Sequence, residues 1–273
     1  MDPLTTSDTE SIVNPPILIT GGTGTLGSHV VPLLQDAGAT LRVLSRRRHE
    51  STERVEYLPG DLATGEGVEK AVDGVGTIVH LAGSSKGDDL KARTLVDAAT
   101  RAGKPHVVYI SVVGADRVPV VSGVDRAMFG YFAAKLASEE IIAGSGLPWT
   151  TLRATQFHDL AFATVEQMAK LPVIPVPSGV RFQPVDTGEV AARLVELSLA
   201  EPAGLVPDIA GPRVYETNDL IRSYLEATGK RRLLMPARLP GKAARAMRDG
   251  ANLAPDRAVG QRTWENFLVE RLR

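Results

Sequence analysis

A glycine-rich segment between an apolar run and an amphipathic stretch constrains the fold of this chain more than any other feature. Residues 20–27 read TGGTGTLG, follow the apolar run ILI at 17–19 and lead into the amphipathic residues 26–37. A strand that enters a glycine turn and then a helix cradles a pyrophosphate, because the first-turn N–H groups and the helix dipole favour negative charge. The segment therefore predicts a dinucleotide site, although glycine turns also join strands to helices for structural reasons alone.

Each glycine of the motif has its own predicted role. Gly21 permits the tight turn, Gly24 lets backbone amides approach the phosphates, and Gly27 lets the helix pack close to the strand. The spacing is G-x-x-G-x-x-G, and no Gly-Lys-Ser/Thr follows, which excludes a nucleoside-triphosphate loop. We expect the residues between these glycines to border the cofactor as well: Thr23, Thr25 and Leu26.

Strands and helices alternate after the motif. β-rich runs lie at residues 40–45, 55–58, 77–83, 106–111 and 149–154, and helical patterns lie at 67–75, 88–102 and 131–143. Buried strands joined by helices of this length predict an α/β, Rossmann-type doubly wound parallel sheet with right-handed crossovers. Ligands of such a sheet bind beyond the carboxyl ends of its strands.

The pattern divides the chain into three predicted parts. Residues 1–15 are polar, lack the features of a signal peptide and read as a disordered leader. We expect residues 16–155 to form the dinucleotide-binding core. Residues 156–273 are expected to add the last strands and a small C-terminal helical lobe that faces the substrate. Helices are predicted there at 188–199, 218–228 with Asn218 as N-cap, 243–252 and 262–272.

Composition limits the chemistry. With 43% hydrophobic residues, a net charge of −1 and no apolar run of membrane-spanning length, the 273 residues suit a globular cytoplasmic protein. The absence of cysteine excludes disulfides and cysteine nucleophiles, and the five histidines show no metal-binding spacing. Residues 230–273 hold eleven Lys or Arg against four Asp or Glu. This region is either a basic surface for an acidic ligand or nucleic acid or, as we prefer, a solvated pair of Arg-rich helices.

The end of the second strand selects the cofactor. An NAD site places an acidic residue there, whereas an NADP site places an arginine near the 2′-phosphate. Ser45 is followed by Arg46-Arg47-Arg48, and the first acidic residue is Glu50. Arginine forms bidentate, charge-assisted hydrogen bonds with phosphate. Ser45 and Arg46 therefore predict NADP(H), with an exposed basic turn as the alternative.

Two further strand ends border the predicted cofactor. Asp61 and Leu62 follow the third strand, where the Asp61 carboxylate either accepts from the adenine amino group or forms a turn with Gly60. Ala82 and Gly83 end the fourth strand, where small residues either let the cofactor lie against the backbone or permit close helix packing.

Tyr131 and Lys135 are the main candidates for chemistry. They are four residues apart on a predicted helix and so share one face. An ammonium beside a phenol lowers the phenol pKa, and the phenol then acts as general acid when a carbonyl is reduced by hydride. The same lysine is placed to hold the nicotinamide ribose of the cofactor.

These motifs together resemble the atypical short-chain dehydrogenase/reductases of the NmrA-like, NAD(P)H-binding type. The resemblance runs from about residue 16 to the C-terminus and rests on residues 20–27, Ser45-Arg46, Gly60-Asp61, Tyr131-x-x-x-Lys135, LPWTTLR at 147–153 and QPVD at 183–186. It implies a Rossmann domain with a small C-terminal substrate lobe, a preference for NADP, and a Tyr/Lys pair where the chemistry is retained.

The family's catalytic serine lies near the end of the fifth strand, and here the chain departs from the pattern. Residues 109–114 read YISVVG, so Ser111 is the hydroxyl at this strand end and a valine occupies the usual serine position. A shift of one residue turns a side chain to the other face of a strand. Ser111 is therefore either catalytic or structural.

Three residues after the sixth strand are expected at the carboxyl edge of the sheet. Thr155 is predicted at the nicotinamide end of the cofactor, and Phe157 and His158 are predicted to face the substrate. The alternative for His158 is a capping or partly exposed histidine. Asp186 is expected to cap the helix that follows it.

The sequence favours one function over two alternatives. We predict an NADPH-dependent reductase for a carbonyl, quinone or enone bound in a mostly apolar pocket, with no metal, membrane or nucleic-acid partner. The valine at the usual serine position supports an alternative, a non-catalytic NADP-binding redox sensor. An epimerase or dehydratase of the extended type is disfavoured, because those enzymes usually prefer NAD and the arginines favour NADP. The substrate and the oligomeric state stay open.

Overall fold

The structure, a computed structural model, describes residues 15–83 and 87–273. The strands are β1 (Ile17–Thr20), β2 (Leu41–Ser45), β3 (Val55–Pro59), β4 (Thr77–His80), β5 (His106–Val112), β6 (Trp149–Ala154), β7 (Val173–Pro177), β8 (Arg181–Phe182), β9 (Gly204–Leu205), β10 (Tyr215–Glu216) and β11 (Leu233–Ala237). The helices are α1 (Gly27–Asp36), α2 (Val68–Val72), α3 (Asp88–Arg101), α4 (Gly123–Ala143), α5 (His158–Met168), α6 (Thr187–Ser198), α7 (Thr217–Ala227), α8 (Lys242–Arg248) and α9 (Trp264–Arg271).

A parallel sheet forms the centre of the molecule. Its seven described strands follow the order β3-β2-β1-β4-β5-β6-β9. The strand order reverses beside β1, because β2 lies on one side of it and β4 on the other. In an open α/β sheet such a reversal leaves a crevice at the carboxyl ends of the strands. The predicted doubly wound, Rossmann-type fold is confirmed.

Helices cover both faces of the sheet. One apolar core lies between the sheet and helices α1 and α6, and a second lies between the sheet and helices α2, α3 and α4. The strands contribute to both cores because successive side chains point to opposite faces. Val107 and Tyr109 of β5 pack in the second core, whereas Val108 and Ile110 pack in the first. The face of each β5 side chain is therefore defined up to the end of the strand.

The C-terminal part of the chain completes the sheet and adds a lobe. Strand β9 extends the sheet beside β6, and α6 packs against α1. Helices α5, α7 and α9 share a separate apolar core around Trp264 and Tyr224. Two small sheets flank this lobe: β8 with β10, and β7 with β11. The division at residue 155 stays a prediction, and the leader that we expected lies outside the described residues except for Pro15.

Helix α4 begins eight residues before the sequence prediction placed it. Ser122 is the N-cap, its hydroxyl accepts from the Asp125 N–H at 3.0 Å, and the Asp125 carboxylate accepts from the Ser122 N–H at 3.1 Å. This reciprocal capping box outweighs the helix-weakening glycines at 123 and 130. Tyr131 therefore lies in the interior of α4, and the expectation that it opens the helix is wrong.

Asp125 also joins α4 to the start of α8. Its Oδ1 accepts from the Ala243 N–H at 3.1 Å, so one buried carboxylate satisfies backbone donors of two helices. Gly241 precedes α8 with φ of +97°, and a Cβ at this position would overlap the same carboxylate oxygen. Only glycine fits this approach without rearrangement.

A buried ion cluster ties α4 to β6. Arg153 donates to Glu139 Oε1 at 2.9 Å and Oε2 at 2.6 Å, and its Nη1 lies 2.8 Å from Asp116 Oδ2. Arg153 and Glu139 are both less than a tenth exposed. Glu139 lies one turn after Lys135, so the cluster fixes the helix that carries the predicted catalytic pair.

One other predicted helix detail differs. The N-cap of α7 is Glu216, because the helix begins at Thr217, one residue before the predicted cap Asn218. By contrast, Asp186 caps α6 as expected, since its Oδ1 accepts from the Gly188 and Glu189 N–H groups at 2.8 and 3.2 Å. Within residues 15–83 and 87–273, no helix has the length and apolar character needed to span a bilayer.

Candidate functional site

The glycine motif forms a tight turn directly against the end of β4. Gly21 has φ of +74°, and a Cβ there would lie 2.7 Å from the Ala82 nitrogen. A Cβ on Gly27 would overlap the backbone of Gly21 and Gly22. The local roles predicted for Gly21 and Gly27 therefore match the geometry. The turn is open to the crevice at Gly24, because a Cβ added there would meet only the Gly21 carbonyl oxygen, at 3.3 Å.

A cleft of about 930 Å³ lies over the carboxyl ends of β1, β2, β3 and β4. This volume is within the range of sites for large small-molecule ligands. Nine of the predicted cofactor residues line it: Gly21, Thr23, Gly24, Ser45, Arg46, Asp61, Leu62, Ala82 and Gly83. The sequence did not single out Arg47, His49, Leu90 and Lys91, which line it as well.

Two arginines border the cleft at the end of β2. Arg46 and Arg47 are exposed and form no ion pair with any residue that the structure describes. Arg42, on the same strand, pairs with Glu56 at 2.9 Å and donates to the Asp73 carbonyl at 2.7 Å, so it is engaged in the fold. Ser45 is buried, and its hydroxyl accepts from the Arg47 N–H at 3.2 Å. The cleft thus carries a local positive charge at this end.

Asp61 borders the cleft near the end of β3. Its Oδ1 accepts from the Ala63 N–H at 2.9 Å, which is the turn that the sequence offered as one interpretation. The predicted contact with adenine stays a prediction. Leu62 lines the cleft and also packs in the core beneath it.

Lys135 lies below the far end of the cleft. Its buried Nζ donates to the Ile110 carbonyl at 3.2 Å and lies 3.5 Å from Asp88 Oδ2. A Cβ added at Gly83, in the cleft wall, would lie 3.4 Å from the same Nζ. Burial lowers the pKa of Lys135, and the Asp88 carboxylate opposes this effect. The lysine is therefore held next to the cleft by a buried acidic partner.

Asp88 is a part of the site that the sequence prediction missed. It is buried at the start of α3, and besides Lys135 it pairs with Lys91 at 3.3 Å. The available signal was an acidic residue in the first helical turn after β4. That pattern normally indicates a helix start only, so it did not point to a charge partner of Lys135.

Tyr131 lies one turn before Lys135 and is 37% exposed. The Lys135 Nζ is 5.7 Å from the centroid of the Tyr131 ring. Desolvation of the phenol, followed by the negative charge of Asp88, raises the pKa of Tyr131 above its ordinary value. The expectation that Lys135 lowers this pKa is wrong for this structure, because the Asp88 carboxylate is the charge that acts on the phenol.

A row of buried polar groups connects the glycine motif with Lys135. The Thr20 hydroxyl lies 2.7 Å from His80 Nδ1, and the His80 ring stacks on Tyr109 at 5.3 Å. The Lys135 Nζ is 4.9 Å from the centre of the Tyr109 ring. Burial and then the Lys135 charge lower the pKa of His80 to about 3, so it is neutral at physiological pH. His80 and Tyr109 lie within the largely apolar runs that predict β4 and β5, so the sequence prediction did not identify them as polar groups near the site.

Ser111 is buried on β5, near the main-chain carbonyl that Lys135 contacts. By strand alternation it shares the face of Tyr109, which packs toward α3 and α4. Its hydroxyl has no hydrogen-bond partner among the described residues. Buried hydroxyls are usually paired, so this unsatisfied oxygen is unusual. Its catalytic role stays a prediction.

The structure does not place the other predicted cofactor residues in the cleft. Leu26 packs in the core and Thr25 is exposed beside the start of α1. Thr155 is buried, and its hydroxyl accepts from the Gly211 N–H at 3.4 Å, so it is occupied within the fold. Thr155 is not among the residues that line the cleft, and its place at the nicotinamide stays a prediction.

The two predicted substrate residues face the interior. His158 is fully buried at the start of α5, and its ring lies 5.1 Å from Phe267 and 6.1 Å from Trp264. Burial lowers its pKa to about 4. Phe157 is partly buried against the core under α1 and α6. The predicted substrate contact of His158 is therefore wrong, because α9 covers this part of the lobe.

The residues present fit a dinucleotide. The turn brings helix-start amides and a close-packed glycine to the crevice. At the end of β2 the cleft presents the guanidinium groups of Arg46 and Arg47, which form no ion pair with the described residues. Within the described ranges, no group of three or more His, Asp or Glu side chains could hold a metal. Fold and site together define a Rossmann-type, NAD(P)-binding protein.

Comparison with known proteins agrees with this class. Residues 21–199 match the family described as NAD(P)H-binding. Ceramide reductase of Caulobacter vibrioides is 30% identical over 208 residues, which cover 70% of this chain and 63% of that protein. A second relative, (4-alkanoyl-5-oxo-2,5-dihydrofuran-3-yl)methyl phosphate reductase of Streptomyces griseus, is 29% identical over 52% of this chain. This chain spans 48% of that relative's length.

Solved structures share the fold. The NADPH complex of the quinone oxidoreductase QOR2 from Escherichia coli has a TM-score of 0.78 and 18% identity, covering 94% of this chain and all of that one. The NAD complex of UDP-glucose 4-epimerase from Thermus thermophilus has a TM-score of 0.68 and 22% identity, covering 94% and 98%. The chain belongs to the NAD(P)H-binding family, in agreement with its resemblance to the atypical short-chain dehydrogenase/reductases.

Proposed function

We propose that the protein is an NADPH-dependent reductase of a carbonyl, quinone or enone. The observation that carries the proposal is a dinucleotide-sized cleft that presents Arg46 and Arg47 at one end and has Gly83, next to the Lys135 Nζ, in its wall. Tyr131 lies one turn before Lys135 on α4, and its ring centroid is 5.7 Å from the same Nζ. Two curated relatives are named reductases, one of ceramide and one of a furanyl methyl phosphate. A cytoplasmic location and a small-molecule substrate are parts of the same proposal.

The reaction needs a proton donor at the reacting oxygen. When bound, the nicotinamide cofactor supplies a hydride to the carbonyl carbon. Tyr131 donates its phenolic proton to the carbonyl oxygen, and its raised pKa keeps the phenol protonated at neutral pH. Lys135, which Asp88 holds next to the cleft, is the candidate to hold the nicotinamide ribose of the bound cofactor. The unpaired Ser111 hydroxyl is a candidate second donor to the same substrate oxygen.

Replacing the proposed proton donor tests the reaction. For Tyr131→Phe we expect kcat to fall about a hundredfold or more while the Kd of NADPH stays within about twofold, because the phenyl ring keeps the packing. Oxidation of NADPH is followed with a panel of quinones, enones and aldehydes. Tyr57→Phe on β3, outside the cleft lining, is the control. A Tyr131→Phe enzyme with near-normal kcat would remove Tyr131 from the mechanism.

The preference for NADP is tested at the end of β2. Loss of a charged hydrogen bond to the 2′-phosphate costs about 1.5–3 kcal/mol, or roughly 10- to 150-fold in Kd. Arg46→Ala should raise the Kd of NADPH by that factor and leave the Kd of NADH nearly unchanged. Arg48→Ala is the matched control, since Arg48 is exposed in the same turn but does not line the cleft. Equal losses for both cofactors would refute the assignment.

A second candidate function is a non-catalytic NADP-binding redox sensor. It is favoured by the valine at the family's usual serine position and by the pKa of Tyr131, which lies above the range expected for an activated phenol. The same panel separates the two functions. Tight binding of NADPH without turnover of any compound would favour the sensor.

A further inference from the structure

Helix α4 presents an apolar stripe to solvent. Val124, Met128 and Tyr131 are separated by four and three residues, which places them on one face of the helix. Their exposed fractions are 48%, 44% and 37%, and Val121, just before the N-cap, is 58% exposed. We call these four residues the α4 stripe. Its helical part is about 10 Å long at 1.5 Å per residue.

The stripe continues into the site. Lys135 is the next residue on the same face, four positions after Tyr131, and its Nζ lies below Gly83 of the cleft. The adjacent side of α4 is covered, since Asp125 contacts the start of α8 and Phe132 packs with Met247. The open side of the helix therefore leads from solvent to the phenol that we propose acts on the substrate.

The segment of α4 around Tyr131 carries no charged side chain of its own. Residues 127–134 read AMFGYFAA and contain no ionisable side chain other than the phenol. Covering the apolar side chains of this segment is favourable, and the segment itself offers no cation to a phosphate or carboxylate. The ammonium of Lys135, one turn further on, is already paired with Asp88 at 3.5 Å. By contrast, the exposed Arg46 and Arg47 lie at the other end of the cleft, after β2, where the 2′-phosphate of the cofactor is proposed to bind.

We propose that the α4 stripe binds the hydrocarbon part of an uncharged carbonyl substrate, extending about two helical turns from the reacting carbon. This inference rests on the proposed reductase function, because it takes Tyr131 as the point where the carbonyl oxygen lies. It narrows the substrate class to compounds with an extended apolar chain or ring system. The inference excludes substrates that carry a phosphate or carboxylate within about 5 Å, one helical turn, of the carbonyl carbon.

Kinetics with straight-chain aldehydes test the inference. Between butanal and octanal we expect kcat/KM to rise by up to about fourfold per methylene, as each added group is buried on the stripe. A matched oxo acid and its methyl ester, of octanal length, add a test of charge. The ester should be reduced at least about tenfold more efficiently than the acid.

Two matched variants locate the effect. Val124→Asp places a carboxylate on the stripe, whereas Val269→Asp places one on a valine of α9 that is 54% exposed. We expect Val124→Asp to raise the KM of octanal about tenfold and that of butanal less than twofold, with the Kd of NADPH unchanged. Val269→Asp should change none of these values. A uniform effect of Val124→Asp on both aldehydes would overturn the inference.

Binding without turnover separates this inference from the proposed function. Titration of octanol, the alcohol product, into the protein with NADP bound is measured calorimetrically for wild type, Val124→Asp and Val269→Asp. Octanol binding lost only in Val124→Asp supports the stripe even if no aldehyde is reduced, in which case only the reductase proposal fails. Wild-type protein that binds no octanol, or a Val124→Asp variant that changes only the sedimentation coefficient, overturns the inference. The latter result would identify the stripe as a contact between copies of the chain.

Discussion

The burial of His158 makes a quantitative prediction about acid stability. The ring is fully buried against Phe267 and Trp264, and burial lowers its pKa from 6.5 to about 4. The folded protein therefore holds this histidine neutral, while the unfolded chain protonates it below about pH 6.5. Stability from His158 is fully present above pH 6.5 and is lost as the pH falls toward about 4.

The size of the effect follows from the two pKa values. Their difference corresponds to about 3.4 kcal/mol once both states are protonated, and at about pH 5 roughly 2 kcal/mol is already lost. Acidification from about pH 7.5 to pH 5 should lower the free energy of unfolding of wild type by about 2 kcal/mol more than that of His158→Phe. His80 is also buried and neutral, but it contributes equally to both proteins.

Urea unfolding followed by tryptophan fluorescence at the two pH values measures this difference. The comparison uses the pH dependence within each protein, so a packing cost of the larger phenyl ring does not affect it. His49→Phe serves as the control, because His49 is exposed beside Tyr57. If wild type and His158→Phe lose the same free energy on acidification, the folded state admits a charged His158 and the reasoning is refuted.

Two further predictions concern packing and charge. Gly27→Ala should abolish measurable NADPH binding in a fluorescence titration and lower stability, because its Cβ overlaps Gly21 and Gly22. Gly130→Ala, which meets nothing within 4 Å in mid-helix, should instead raise the free energy of unfolding by about 0.5–1 kcal/mol; the opposite order would contradict the assigned geometry. Arg153→Met should cost about 3–5 kcal/mol, because it leaves the Glu139 carboxylate buried without its cation. Adding Glu139→Gln should restore part of this loss in a double-mutant cycle, whereas strictly additive losses would argue against a coupled pair.

The core of the fold could be predicted because local and tertiary preferences agree there. Apolar strands alternate with amphipathic helices, and the glycine motif has a single geometry that fits both the turn and the close helix. The predicted cofactor positions come together for the same reason, since strand ends of a parallel sheet meet at one edge; their contact with a cofactor stays a prediction. Nine of the predicted cofactor positions lie in one cleft.

The failures have one physical origin, which is packing between distant segments. His158 follows β6 at the correct edge, but α9 arrives from more than a hundred residues later and buries it. The pKa of Tyr131 depends on Asp88, which belongs to another helix. Spacing within one helix described the Tyr131 and Lys135 pair correctly and yet gave the wrong direction of the pKa, because the nearest influential charge is remote in sequence.

The double role of Asp125 has a consequence for how this protein could diversify. The Asp125 carboxylate accepts from the Ser122 N–H in the cap of α4 and from the N–H of Ala243, the second residue of α8, so a single side chain connects the proposed catalytic helix with the C-terminal part of the chain. We expect insertions or replacements elsewhere in the lobe to leave the Asp125 contacts, and with them the position of α4, unchanged. Changes at residues 241–243 would instead tilt the helix that bears Tyr131. We therefore expect exchanges of the lobe between relatives to give active proteins only when their junctions lie outside residues 241–243. Such exchanges would vary substrate recognition and leave Tyr131 and Lys135 in place.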